Sequence, residues 1–229
     1  MSNSLRAGVV LALMAVVSAA LGVSGASAQS VGVDCIEPLD LVSASQDLTN
    51  CNLKGVTIAG GSPDSSALRL SNLSGANMMD ATISGAFALE LSNLQGVNLQ
   101  GATISGFLAV GGPNPVVASN VSGANLNGAT ISGFGAFPNA NLTGSNLRGA
   151  VISGQFALPA ANLTDANLAG ALVSGQFAMP QVNLTRANLE GAVVTGLGAL
   201  AGAIYNDTTC PDGTNSDDNG GTCTGHLTA

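Results

Sequence analysis

The feature that most limits what this chain can fold into is a repeat with two nested periods, five residues within twenty-one. From Gln46, three five-residue units follow one another over 46–50, 51–55 and 56–60. The trio starts again at Ser71, Ser92, Ser119, Ala140, Ala161 and Val182, and in part at Ala203. The intervals are 25, 21, 27, 21, 21, 21 and 21 residues, so the basic period is three pentapeptides plus a six-residue segment. The unit centres are aliphatic in every copy: Leu48, Leu73 and Leu94 head the first column, Leu53, Met78 and Leu99 the second, Ile58, Ile83 and Ile104 the third. Two residues before a centre stands a small residue, such as Ala76, Ala124 or Ala166, and two residues after each third centre stands Gly, from Gly60 to Gly196.

A period of five is neither the 3.6 of an amphipathic helix nor the 2 of an alternating strand. Each unit instead turns one large and one small apolar residue inward and then bends, with glycine at the corner free to take positive φ. Four such sides close one coil, and stacked coils bury the aliphatic and alanine columns while pairing their backbones. At about 4.8 Å per paired strand, seven coils predict a rod on the order of 34 Å long.

The units Ala124-Asn125-Leu126-Asn127-Gly128, Ala166-Asn167-Leu168-Ala169-Gly170 and Ala187-Asn188-Leu189-Glu190-Gly191 resemble the pentapeptide-repeat consensus, Ala-(Asp/Asn)-Leu-x-x. The resemblance holds in register over about residues 46–207. It implies that family's all-β fold, a right-handed quadrilateral β-helix, here of about seven coils. A triangular or ordinary right-handed β-helix is the other architecture that the repeat allows. This chain departs from the pattern in its six-residue fourth side, which predicts a regular bulge along that face.

That fourth segment holds all six Phe, an Ala column at 88, 109, 136, 157, 178 and 199, and prolines at 138, 159 and 180. Proline cannot donate to a ladder, so irregular bonding is expected there. The Phe column is read as core; an exposed docking stripe is the sharper alternative. Both long insertions fall on this side. The first carries Pro63 and Asp64, the second Gly112, Pro113, Asn114 and Pro115, and together they are the candidate partner-binding patch. Two Asn columns, including Asn72, Asn93 and Asn120 in one and Asn52, Asn77 and Asn98 in the other, predict amide ladders. The Asn-x-Ser/Thr triplets are by-products of that repeat.

The ends differ in chemistry. Residues 1–28 read as a signal peptide: Arg6, an apolar run over 7–23, then Ala26-Ser27-Ala28 before Gln29. The reading places the mature chain in the periplasm, the cell envelope or outside the cell, with no membrane span after cleavage. Residues 29–45 form an N-terminal cap and 208–229 a C-terminal one. Export makes disulfides plausible among Cys35, Cys51, Cys210 and Cys223; the two local pairings are favoured of three connectivities, each tying down one end. Asn215, Asp217 and Asn219 resemble the start of a calcium loop, but an EF-hand needs Glu where His226 stands.

Charged residues are only 8% of the chain, and its single His lies in the tail, so no nucleophile-base or paired-carboxylate arrangement is legible. The expected function is non-catalytic: an exported structural or interaction protein offering a β-helical surface to a protein partner, with no cofactor. A calcium- or glycan-binding envelope protein is the alternative. Some pentapeptide-repeat proteins mimic DNA and inhibit topoisomerases, but that needs a strongly acidic surface. Between Ser71 and Gly202 four acidic residues face Arg148 and Arg186, which argues against nucleic-acid mimicry.

Overall fold

A computed structural model describes residues 45–60, 68–110 and 118–227. The expected signal peptide, most of the N-terminal cap, Cys35 and the loop residues Pro63, Asp64, Gly112, Pro113, Asn114 and Pro115 lie outside them. Seven short strands occupy the third side of successive coils: β1 (Thr57–Ala59), β2 (Thr82–Ser84), β3 (Thr103–Ile104), β4 (Thr130–Ile131), β5 (Val151–Ile152), β6 (Leu172–Val173) and β7 (Val193–Val194). They form one parallel sheet in sequence order, with Ile58, Ile83, Ile104, Ile131, Ile152, Val173 and Val194 in register. On the first two sides each coil touches the next through single parallel bridges, Asp47 to Asn72 to Asn93 on one and Asn52 to Asn77 to Asn98 on the other.

This is a four-sided solenoid, and it fits the right-handed β-helix that the repeat predicts. Six steps separate β1 from β7, so the stack has about six turns rather than seven. At about 4.8 Å per step its sheet runs roughly 29 Å.

The first two pentapeptides of a coil each end in a tight turn. The amide of Cys51 donates to the carbonyl of Leu48 at 3.1 Å, and the intervening Asn50 takes φ of 56°. A positive φ at the third turn residue suits Gly, Asn or Asp. The chain supplies Gly55, Gly75 and Gly96 at such corners, or Asp80 and Asp165. The Gly column that closes the third side has a different cause. A Cβ on Gly133, Gly154, Gly175 or Gly196 would fall on the carbonyl oxygen of the glycine one coil earlier. There the stacked backbones approach too closely for any side chain.

The interior is the expected set of columns, including Leu73, Leu94, Leu126, Ile83, Ile131 and the small Ala76, Ala129 and Ala150, all fully enclosed. Where a small position is polar, its hydroxyl bonds to a backbone carbonyl. Ser145 donates to Val121 at 2.9 Å, Thr208 to Leu184 at 2.7 Å, Ser92 to Leu68 and Ser119 to Val110. No buried side-chain polar atom among the described residues lacks a partner, as close-packed interiors require.

The fourth side is more regular than its prolines suggest. Leu158 donates to Ala178, Ala160 to Pro180, and Asn139 to Pro159, each at 2.8 Å. The prolines serve this one-way ladder as acceptors, so their missing N–H costs nothing. The extra residue is absorbed by two left-handed positions per segment, as at Phe156 and Ala160 or Phe177 and Gln181.

Candidate interaction surface

The polar columns of the first two sides are occupied internally. Asn93 donates to Asn72 and Asn98 to Asn77, both at 3.1 Å, while each amide oxygen accepts from the backbone two residues on, as Asn93 does from Gln95. Where Ser or Thr follows, its hydroxyl donates to the same oxygen, as Thr143 does to Asn141 at 2.7 Å. Charges on these sides also pair across coils. Arg186 clasps Asp165 through two bonds of 2.6 and 2.8 Å, which lowers the Asp165 carboxyl and raises the guanidinium. Lys54 lies 4.0 Å from Asp80.

The fourth side departs from the expected core. Of the six Phe, only Phe137 is fully enclosed; it stacks in a column with Leu89, Val110, Leu158 and Met179, one residue after the Ala column. The other five form a ladder of rings at the corner where the third side passes to the fourth. Phe107 and Phe134 are stacked at 5.5 Å and Phe156 and Phe177 at 5.7 Å. Edge-on contacts of 6.0 Å to Phe87 and 5.8 Å between Phe134 and Phe156 join them. Phe87 is buried, but Phe107 and Phe134 are 47% and 45% exposed, and Leu197 extends the line at 73%. The core reading thus holds for Phe137 and Phe87, whereas Phe107 and Phe134 face outward and Phe156 and Phe177 are partly exposed.

The stripe is built from two backbone positions. Phe107, Phe134 and Leu197 directly follow the glycine that closes the third side, whereas Phe87, Phe156 and Phe177 follow it by two. The second position is left-handed in every described coil, at Phe87, Leu108, Gly135, Phe156, Phe177 and Gly198. Gly198 leaves room for the Phe177 ring, on which its Cβ would fall. Left-handed geometry at a phenylalanine costs roughly 1–2 kcal/mol, so the chain carries strain at three of the five rings. The offset from the Ala column was the signal in the sequence: Phe107 and Phe134 precede their Ala by two residues, Phe87, Phe156 and Phe177 by one, and Phe137 alone follows.

The surroundings are uncharged. The third side carries no Asp, Glu, Lys or Arg in any coil, and from residue 91 to 202 neither does the fourth. Its exterior is a hydroxyl and aliphatic column: Thr82, Thr103 and Thr130, then Val151, Leu172 and Val193, beside Ser105, Ser132, Ser153 and Ser174. Arg69 pairs with the buried carboxylate of Glu90 at 3.0 Å on the first described fourth-side segments.

The C-terminal cap is a separate cluster. Cys210 and Cys223 are bonded to each other, as expected of the local pairing. Cys51 is also in a disulfide, and its expected partner Cys35 lies outside the described residues. Asp212 accepts from the Thr214 hydroxyl at 2.7 Å and from its amide at 3.0 Å, and meets His226 at 2.6 Å. These contacts, the hydroxyl first, hold the Asp212 carboxyl down at about 2. The three calcium candidates do not converge on one point. Asn215 donates to Asp207 at 2.8 Å and Asp217 accepts from the Asp207 amide at 2.9 Å, while Asn219 turns to Thr214 at 2.6 Å. Among the described residues no cluster of three His, Cys, Asp or Glu could hold a metal, and no helix is long and apolar enough to cross a membrane.

No family model and no curated protein matches the chain. Solved structures do. HetL, a pentapeptide repeat protein of heterocyst differentiation regulation from the cyanobacterium Nostoc sp. strain PCC 7120, is 20% identical over 75% of this chain and 92% of its own, with a TM-score of 0.24. A pentapeptide repeat protein from the Arabidopsis thaliana thylakoid lumen is 26% identical over 56% and 70%, at 0.23. QnrB1, a plasmid-mediated fluoroquinolone resistance protein, is 14% identical over 70% and 79%, at 0.32. With TM-scores this low, the fold assignment rests on the coil itself: three pentapeptide sides, a bonded fourth, and parallel register throughout.

Proposed function

We propose that this pentapeptide-repeat solenoid is a non-catalytic, exported interaction protein whose docking surface is the Phe ladder and the uncharged faces beside it. One observation carries the reading: a ladder of rings, of which Phe107 and Phe134 are about half exposed, ends in the exposed Leu197, while the Asn columns of the other sides are bonded internally. Contiguous apolar surface of this kind marks an interface on a soluble protein. The geometry favours an apolar protein surface over a glycan. A sugar stacks on an open ring face, whereas four of these rings are stacked in pairs, Phe107 on Phe134 and Phe156 on Phe177.

The DNA-mimic alternative needs a continuous run of bare carboxylates. On the described coils Asp165 is clasped by Arg186 and Asp80 lies beside Lys54. Export is proposed from the N-terminal pattern; amino-terminal sequencing of the protein from its producing cell should begin at Gln29.

The test of docking is retention of a partner from envelope fractions by the chain and by a Phe107→Ser/Phe134→Ser variant of unchanged melting temperature. Loss of the retained protein in the variant is expected. Equal retention by both would place the interface elsewhere.

A further inference from the structure

We infer that the C-terminal rim of the fourth side binds an extended, uncharged peptide, which lies down as one more rung of the fourth-side ladder. This site is distinct from the outward Phe ladder, which stops beside it at Leu197.

The cap that closes the C-terminal end covers the first two sides. Ile204 bridges to Asn183 and Thr209 to Asn188, and Gly191 donates to Pro211 at 2.8 Å. The fourth side has no such continuation among the described residues. In the coil below, Phe177 donates to Leu197 at 2.9 Å, and Met179 to Ala199 and Gln181 to Ala201 at 2.8 Å. Their equivalents 21 residues on are Gly198, Leu200 and Gly202, whose amides have no partner among the described residues. Three donors at alternate residues thus face off the end of the stack, in the direction that the one-way ladder runs.

The core opens at the same place. Leu89, Val110, Phe137, Leu158 and Met179 are fully enclosed, whereas Leu200, next in that column, is only half-buried. Beside it lies a groove of about 240 Å³, lined by Val194, Gly196 and Leu200 of the last coil and by Tyr205, Thr224 and Leu227 of the cap. The cap wall is held in place by the Cys210–Cys223 bond and by His226 against Asp212.

The rungs inside the molecule define what fits. Gln176, Ala178 and Pro180 offer their carbonyls to Phe156, Leu158 and Ala160. Ala178 and Met179 point into the core, and a Cβ on Gly175 would strike the carbonyl oxygen of Gly154. A ligand for the rim needs the same features one coil later. It has glycine over Gly196, carbonyls at alternate residues over the amides of Gly198, Leu200 and Gly202, and a small then a large apolar side chain facing the groove. The N–H of its last acceptor residue is unused, so proline is allowed there, as at Pro180. A charged side chain would find no partner, since the fourth side carries no charge from residue 91 to 202. Added strands of this kind take affinity from main-chain bonds and selectivity from the side chains between them.

The probe is a synthetic peptide with blocked ends, Gly-Gln-Phe-Ala-Met-Pro-Gln, the sequence of residues 175–181. It is titrated to about 2 mM against the isotope-labelled chain, because one rung holds weakly. The amide resonances of Gly198, Leu200 and Gly202 should shift saturably and exchange more slowly, while those of Leu126 and Ile131 stay unmoved. Ala in place of the peptide's first Gly should weaken binding by roughly tenfold or more, because its Cβ meets the Gly196 carbonyl. N-methylation of the peptide's Met, whose nitrogen faces away from the rim, should change binding by less than about twofold. No shift at the three amides overturns the inference, as does equal binding of the Gly and Ala peptides. Shifts confined to Phe107 and Phe134 would move the peptide to the Phe ladder and overturn it too. Concentration-dependent shifts of the same three amides in the chain alone, undisturbed by the peptide, would give the rim to a second copy and likewise overturn it.

Discussion

At the scale of single residues, the chain tolerates non-glycine side chains in left-handed geometry where the fourth side must turn. Leu91, Asn139, Ala160 and Gln181 occupy the same place in their coils, at φ of 53–57°, and Gly202 takes it in the last. Ala160 is exposed, so its methyl adds little packing to offset the strain. Left-handed geometry costs about 1–2 kcal/mol, and the greater freedom of glycine in the unfolded chain returns about half of it. Ala160→Gly is thus expected to stabilise the protein by about 0.5–1 kcal/mol in denaturant unfolding; Asn139→Gly should gain less, because Asn adopts this geometry more readily. A second residue-scale expectation concerns pH. Asp212 is held at about 2 from an ordinary 3.8, by the Thr214 hydroxyl first and His226 next. The folded cap binds this proton less readily than the unfolded chain, so the stabilisation is complete above about 3.8 and is lost as pH falls through about 2. Amide resonances of Thr214 and His226 should shift and broaden between about pH 5 and about pH 2, and Asp212→Asn should abolish that dependence. A response unchanged in the variant would assign the acid transition to other carboxylates.

At the scale of the coil side, core and surface phenylalanines separate by a few residues of one segment. Phe137 fills the interior between Val110 and Leu158, so Phe137→Ala should cost about 3–5 kcal/mol. Phe134→Ser, three residues away on the outward ladder, should cost less than about 1 kcal/mol. Equal losses would restore the core reading of the whole Phe column. This side also marks how far the fold was legible. Three sides could be read from Leu48, Leu53, Ile58 and their repeats, because one aliphatic residue per five is a period no helix or strand produces. The fourth could be counted, but its orientation lay only in the offsets of its Phe residues from the Ala column. Its Phe residues fall at three different offsets from the Ala column, and composition alone does not tell an inward ring from an outward one. Its prolines suggested irregular bonding because the ladder's one-way direction, in which Pro159 and Pro180 only accept, depends on the coil below. The third-side glycines were legible as a column but not in their cause, since the carbonyl that excludes a Cβ at Gly154 belongs to Gly133, a full coil away. The candidate site shared these limits: its apolar residues were visible, and its outward facing was not.

At the scale of the whole molecule, every described contact between strands joins neighbouring coils. Stability in such a stack is a sum of coil and neighbour terms, so the ends govern where opening begins. The C-terminal end is closed by a cap in which Cys210 and Cys223, 13 residues apart, are joined, and Thr208 and Thr209 tie that cap back to Leu184 and Ala187. Tyr205 packs partly buried against the same end, and burial pushes its phenol up. A loop of this length withholds about 3 kcal/mol of chain entropy from the open state. Cys210→Ser/Cys223→Ser should therefore release the cap first. Hydrogen exchange is the measurement that checks this, because it reads each coil separately. In the variant, amides from about residue 184 onward should lose protection, while Leu99, Leu126 and Ile131 in the central coils keep theirs. Protection falling evenly from β2 to β7 would mean that the solenoid opens as one cooperative unit, and that the disulfide stabilises the whole stack rather than its end.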